Sequence, residues 1–189
     1  MKKIFYLCLF SLIFQYISAQ QIVPPIGVGT KLNYRFFLYG QTLPVNLIVK
    51  SMVDTVKFDW NIRGYAYAYG SYLISAKAFQ KGRKINFIQP EYQKVLLLAD
   101  DETFAIISKA AFADLMKDKR FVYNNTTYVL KDDMKENPFK LGSQNLDLLH
   151  VVGLEEPGEL WILNNQEFPL ICQIKDNPLG INFTLVEIN

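Results

Sequence analysis

From Lys31 to Ile62 the chain alternates apolar and polar residues with a period of two, and that rhythm excludes a helical protein more firmly than anything else in it. Leu32, Tyr34, Phe36 and Leu38 alternate with Asn33, Arg35, Phe37 and Tyr39, and Gly40-Gln41 ends the run. Leu43, Val45, Leu47 and Val49 follow, and then Val56, Phe58, Trp60 and Ile62 alternate with Thr55, Lys57, Asp59 and Asn61. Successive side chains of a strand point to opposite faces, so each run predicts a strand with one buried face. Short connections between the runs predict antiparallel neighbours.

Further strands are expected at Tyr72 to Lys77, Lys84 to Gln89, Val95 to Ala99, Leu146 to Val152 and Ile181 to Ile188. Glu102 to Ile107 reads as a buried strand after an acidic turn. Ser108 then offers a hydroxyl to the free amides of a helix over about residues 109–117, with Ala111, Phe112, Leu115 and Met116 as its apolar stripe. Lys117, Lys119 and Arg120 place positive charge at the negative end of the helix dipole. Phe121-Val122-Tyr123 and Thr127 to Leu130 flank Asn124-Asn125, where asparagine tolerates the left-handed backbone of a tight hairpin turn. Leu160 to Leu163 and Phe168 to Ile174 form a second hairpin around Asn164-Asn165, and Asp132 to Gln144 is the longest loop. The whole is a mainly β chain of about a dozen strands with one short helix, arranged as an antiparallel β-sandwich, an open half-barrel or a small barrel.

The N-terminus adds a compartment. Lys2-Lys3 precede an apolar run from Ile4 to Phe14, and Ile17-Ser18-Ala19 supplies a small residue before Gln20, the pattern of a cleaved signal peptide over residues 1–19. Eleven apolar residues make a helix of about 16 Å, short against a hydrocarbon core of about 30 Å, so no transmembrane segment is expected after cleavage. Residues 20–189 then form a single domain. The 20 basic residues lose Lys2 and Lys3, leaving 18 against 18 acidic ones. A neutral chain without basic clusters gives nucleic acid no footing. Cys172 becomes the only cysteine, so no internal disulfide is expected and stability rests on the core.

The search for chemistry returns mainly absences. A single histidine, His150, precludes a multi-histidine zinc site. Leu146 and Leu148 share its strand face while Asp147 points away, which argues against a triad. Cys172 alternates in phase with Leu170 and Ile174, as a packed core thiol does, although a Cys172–His150 dyad is formally open. Gly27-Val28-Gly29 lacks the third glycine of a dinucleotide fingerprint. Asp100, Asp101 and Glu102 lie in a turn where acids are usually solvated, and a calcium ion there would need a backbone carbonyl as well. No cofactor and no resident metal are expected.

Gly64 to Gly70 reads Gly-Tyr-Ala-Tyr-Ala-Tyr-Gly; as a strand it sets Tyr65, Tyr67 and Tyr69 about 6.6 Å apart on one face. Such a row can hold an apolar or glycan-like ligand, or sit at the edge of the core with its hydroxyls wet. The opening Gly29-Thr30-Lys31-Leu32-Asn33-Tyr34, the long alternating strands, and Leu160-Trp161-Ile162-Leu163 leading to Phe168-Pro169-Leu170-Ile171 resemble exported envelope proteins of Gram-negative bacteria built on a domain without an assigned function. That resemblance implies an antiparallel β-rich fold in the periplasm or at the cell surface, and it carries over no catalytic residue. The expectation is a non-catalytic envelope protein that binds or carries an apolar small molecule or a glycan at Tyr65, Tyr67 and Tyr69. A module that docks on an envelope protein partner, and a hydrolase built from His150, Cys172 or a carboxylate pair, are the alternatives.

Overall fold

The alternating runs become neighbouring strands. The computed structural model describes residues 21–131, 140–142 and 144–189; the signal peptide expected over residues 1–19 and most of the loop expected from Asp132 to Gln144 lie outside them. In chain order the elements are β1 (Gln21–Ile22), β2 (Lys31–Leu38), β3 (Gln41–Ser51), β4 (Thr55–Ile62), β5 (Tyr69–Ser75), α1 (Ala76–Lys81), β6 (Lys84–Ile85), β7 (Val95–Leu97), β8 (Glu102–Thr103), α2 (Lys109–Asp118), β9 (Arg120–Tyr123), β10 (Thr126–Leu130), β11 (Lys140–Leu141), β12 (Gln144–Leu146), β13 (Leu148–Gly153), β14 (Glu159–Leu163), β15 (Ile171–Lys175) and β16 (Ile181–Ile188).

Eleven strands make one sheet in the order β7-β5-β4-β3-β2-β16-β15-β14-β13-β10-β9. Two antiparallel meanders, β2 to β5 and β13 to β16, meet where the first strand of one pairs with the last strand of the other, Phe36 opposite Phe183. Only β7 pairs in parallel within this sheet. β7 and β9 end the sheet without meeting, so it is open and not a closed barrel. β1, β12 and β11 form a second, three-stranded sheet, and β6 pairs with β8.

The period of two decides which face is covered. Leu32, Tyr34 and Phe36 of β2, Leu47 and Val49 of β3, and Val56, Phe58 and Trp60 of β4 are all buried in one core. Both helices and the chain between them contribute to that core through Ala78, Phe79, Phe104, Phe112 and Leu115. Phe79 packs against Phe168, which in turn meets Phe58 edge-on. The opposite face of β2 to β5 is polar: Asn46 donates to Asn61 at 3.0 Å, and Ser71 donates to Asp59 at 2.6 Å.

The stretch from Glu102 to Lys131 folds nearly as read. Ser108 caps α2 by accepting from the Ala111 amide, and Asn124 and Asn125 turn the β9–β10 hairpin with φ of 49° and 63°. Met116, assigned to the apolar stripe, is instead 43% exposed, because α2 buries only Ala111, Phe112 and Leu115. Thr103 to Ile107 are buried as expected, but regular pairing stops at Thr103 and Ala105 takes a left-handed φ of 58°. The backbone there is satisfied from another direction: Ile107 donates to the Pro169 carbonyl and Ile171 donates to that of Ala105. Buried amides must be paired, and here a loop supplies the partners that a strand would otherwise give.

Three other expectations change. Ala76 and Lys77 do not continue the strand expected to run to Lys77 but open the capped helix α1, with the Ser75 hydroxyl accepting from Ala78. Gly82 is required after it, since a Cβ there would stand 2.5 Å from the Ala78 carbonyl oxygen. Lys84 to Gln89 is strand only through Ile85. Gly64 to Ala68 is not strand at all: Tyr65 donates to Ile62, Ala68 to Tyr65 and Ile62 to Ala68, closing a pair of turns that joins β4 to β5.

Candidate functional site

The sheet keeps a cavity at one end, between its covered face and the segment that follows β6. Asn86 anchors that segment: its amide donates to Thr103, its side-chain nitrogen donates to Glu102 at 2.9 Å, and its side-chain oxygen accepts from the Ile88 amide. Phe87 to Tyr92 then pass over the ends of β4 and β5. Gln93 donates to the Tyr69 carbonyl and Ser71 donates to that of Lys94, which ties the segment back to β5.

The space left underneath is about 220 Å³. Its aliphatic wall comes from Leu38, Leu43, Val45, Ile62 and Ile181, at the end of β2, the start of β3, the end of β4 and the start of β16. Its aromatic wall is Phe36, Trp60, Tyr72 and Phe104. Phe104 stacks on Tyr72 with centroids 3.9 Å apart and lies near-parallel to Phe36 at 6.4 Å, so the ring supplied by the irregular segment after β8 is held between two strand rings. Phe87, Ile88, Gln89, Pro90 and Tyr92 close the remaining side. No Asp, Glu, Lys, Arg or His lines it. Burial pushes the Tyr72 phenol well above its usual range, so the hydroxyl stays neutral. Tyr39, Ile88 and Tyr92 are 83%, 65% and 48% exposed and form the mouth. The arrangement can enclose hydrocarbon.

Tyr65, Tyr67 and Tyr69 do not line this cavity. Their turn is bonded to Ile62, which does, so they stand at the same end of the sheet, 62%, 76% and 48% exposed. The strand residues of the cavity were legible as alternating apolar positions, but only the folded chain shows that those at this end of the sheet are left partly uncovered. The apolar Phe87-Ile88 pair before Pro90 was the one local hint that residues 86–92 would lie on the sheet.

His150 has an acid that the strand phases did not reveal. Its Nε2 is 2.7 Å from a Glu159 carboxylate oxygen, its ring stacks on Trp161 at 4.1 Å, and the Lys175 ammonium stands 4.8 Å over the same indole. Asp147, the acid adjacent in sequence, accepts instead from the Asn164 side chain. Glu159 was missed because β14 pairs with β13 so that Glu159 lies diagonally across from His150, a neighbour that register alone determines. Among the described residues His150 bonds no serine, threonine or cysteine. Cys172 is fully buried, donates to the Leu170 carbonyl at 3.9 Å, and has its thiol pushed well above the usual range by burial, against a backbone hydrogen bond from Leu163. It is not a nucleophile at neutral pH.

The acidic turn is committed to cations of its own. Asp100 bonds Lys77 and Ser75, which hold its carboxyl below the usual range, Asp101 pairs with Lys84 at 2.8 Å, and Glu102 accepts from Asn86. No group of three His, Cys, Asp or Glu among the described residues is placed to hold a metal ion. No helix among them is long and apolar enough to cross a membrane. Compared with family models, with curated proteins and with solved structures, the chain finds no match.

Proposed function

We propose that this protein binds a small apolar molecule, or the apolar end of a larger one, in the cavity beneath Phe87 to Tyr92, and holds it without chemical change after export from the cytoplasm. The observation that carries this reading is a 220 Å³ space walled by aliphatic and aromatic side chains, free of charged groups and open at Tyr39, Ile88 and Tyr92. Such lining favours the apolar member of the two ligand classes that the sequence left open. Lys2-Lys3 and the apolar run to Phe14 support export to the periplasm or cell surface.

Protein purified gently from a bacterial periplasm, extracted with organic solvent and examined by mass spectrometry, is expected to release a hydrophobic compound in near-equal amount. A protein that is empty as isolated and also fails to bind a fluorescent hydrophobic probe would end this proposal. One feature favours a second reading: β7, an edge of the large sheet, exposes Val95 and Leu97 at 61% and 66%. An envelope partner adding a strand there would make the protein an interaction module. Co-purification of a partner that Val95→Lys abolishes, with no extractable compound, is the result expected from it.

A further inference from the structure

Resting on the cavity reading above, we infer that the ligand is a single-chain amphiphile with an uncharged, oxygen-bearing head: its chain end enters the cavity and its head stays outside among the tyrosines.

Volume sets the first limit. The space measures about 220 Å³. Sites that enclose an entire organic ligand run from about 300 to 1,000 Å³. The cavity therefore takes an end, and the rest of the ligand leaves past Tyr39, Ile88 and Tyr92. The lining sets the second limit, because an environment without an ionisable group other than phenols accepts hydrocarbon and rejects charge.

The mouth sets the third. Of the five exposed tyrosines among the described residues, Tyr39 and Tyr92 line the mouth and Tyr65 and Tyr67 stand in the turn bonded to Ile62, while Tyr69, paired opposite Asn61, points to the other face of the sheet. None of their hydroxyls is bonded to another described residue, so each presents a ring beside a free donor and acceptor. This is the chemistry that meets sugar, glycerol or ester oxygens while covering adjoining hydrocarbon. The charged residues that adjoin Ile62 and Tyr92 in the chain, Arg63, Glu91 and Lys94, are of both signs.

The test is calorimetric titration of the protein, purified as a bacterial host exports it, with n-alkyl glucosides of increasing chain length below their micelle concentrations. Matched n-alkanols, n-alkanoates and n-alkylammonium ions complete the series. Affinity is expected to rise about fourfold per methylene, to flatten once the chain end fills the cavity, and to be highest for the glucosides. Combined Tyr65→Ala and Tyr67→Ala, at positions too exposed to disturb the fold, is expected to weaken the glucosides severalfold and leave the dependence on chain length unchanged. Equal affinity for alkanols and glucosides, or tightest binding of a charged series, would overturn the assignment of the head while leaving the cavity reading intact. Tighter binding of a compact hydrocarbon such as naphthalene would overturn the single chain. Failure of every compound to bind would remove both this inference and the reading beneath it.

Discussion

Replacing Tyr123 with Phe removes one oxygen from the join between α2, the β9–β10 hairpin and β8. That oxygen is fully buried; it accepts from the Ser108 amide at 2.7 Å and lies 3.3 Å from the Thr103 hydroxyl. Thr103 donates its own proton to the Lys84 carbonyl, so the tyrosine must be the donor to Thr103, and the chain runs from the Ser108 amide through two hydroxyls to Lys84. Phe fills the same ring volume and loses both bonds. The Ser108 amide is left in the core without an acceptor, which costs about 2 kcal/mol. For a chain of this size that corresponds to a fall of about 4–8 °C in Tm. Urea unfolding followed by tryptophan emission measures it. A double-mutant cycle with Thr103→Val is expected to show coupling of about 1 kcal/mol, since the two hydroxyls touch. A loss below about 0.5 kcal/mol for Tyr123→Phe, the size of an ordinary surface change, would mean that the join is open to water and that the hairpin does not fix the start of α2.

Gly70→Ala is expected to cost about 1–3 kcal/mol by overpacking, because its methyl group would stand 2.6 Å from the Lys94 carbonyl oxygen and 3.0 Å from the Trp60 indole; differential scanning calorimetry and a shifted Trp60 emission report it. Cys172→Ser is expected to lower stability by about 1–3 kcal/mol, since a hydroxyl replaces a thiol that no water reaches; an unchanged urea midpoint would place that side chain outside the core. The phenols of Tyr34, Tyr72 and Tyr123 are held above their ordinary value of 10 by burial. Below that pH neither state loses these protons, and above it the unfolded chain releases protons that the folded one retains. Stability is therefore expected to begin falling near pH 9, where the unfolded chain releases the Cys172 proton that burial retains, and to fall steeply beyond about pH 10; a midpoint unchanged at pH 11 would show these groups to be solvated.

The sequence alone determined the elements that local chemistry fixes. Alternation wrote the covered face of β2, β3 and β4, because one face in water and one in oil is a property of every second residue. Ser108 and the Asn124-Asn125 pair fixed the start of α2 and the β9–β10 turn, because caps and left-handed turns are satisfied within a few residues of themselves. The same rule should have disclosed α1, whose Ser75 cap repeats that of Ser108; the alternating look of Tyr72 to Lys77 hid it. Tyr65 to Ala68 show the opposite failure, a perfect alternation that became turns because the chain had to reverse between β4 and β5.

What only the tertiary structure decided lies between elements distant in the chain. Register placed Glu159 beside His150 and Phe183 opposite Phe36. Closure between β2 and β16 joined the two meanders, while the unpaired edges of β7 and β9 kept the sheet open. The cavity itself belongs to no segment: it is the volume that remains when Phe104, Phe87 and the ends of four strands pack without filling it. Each residue's preference for burial is written locally, but a void depends on how all of those side chains fit together, and packing is a property of the whole.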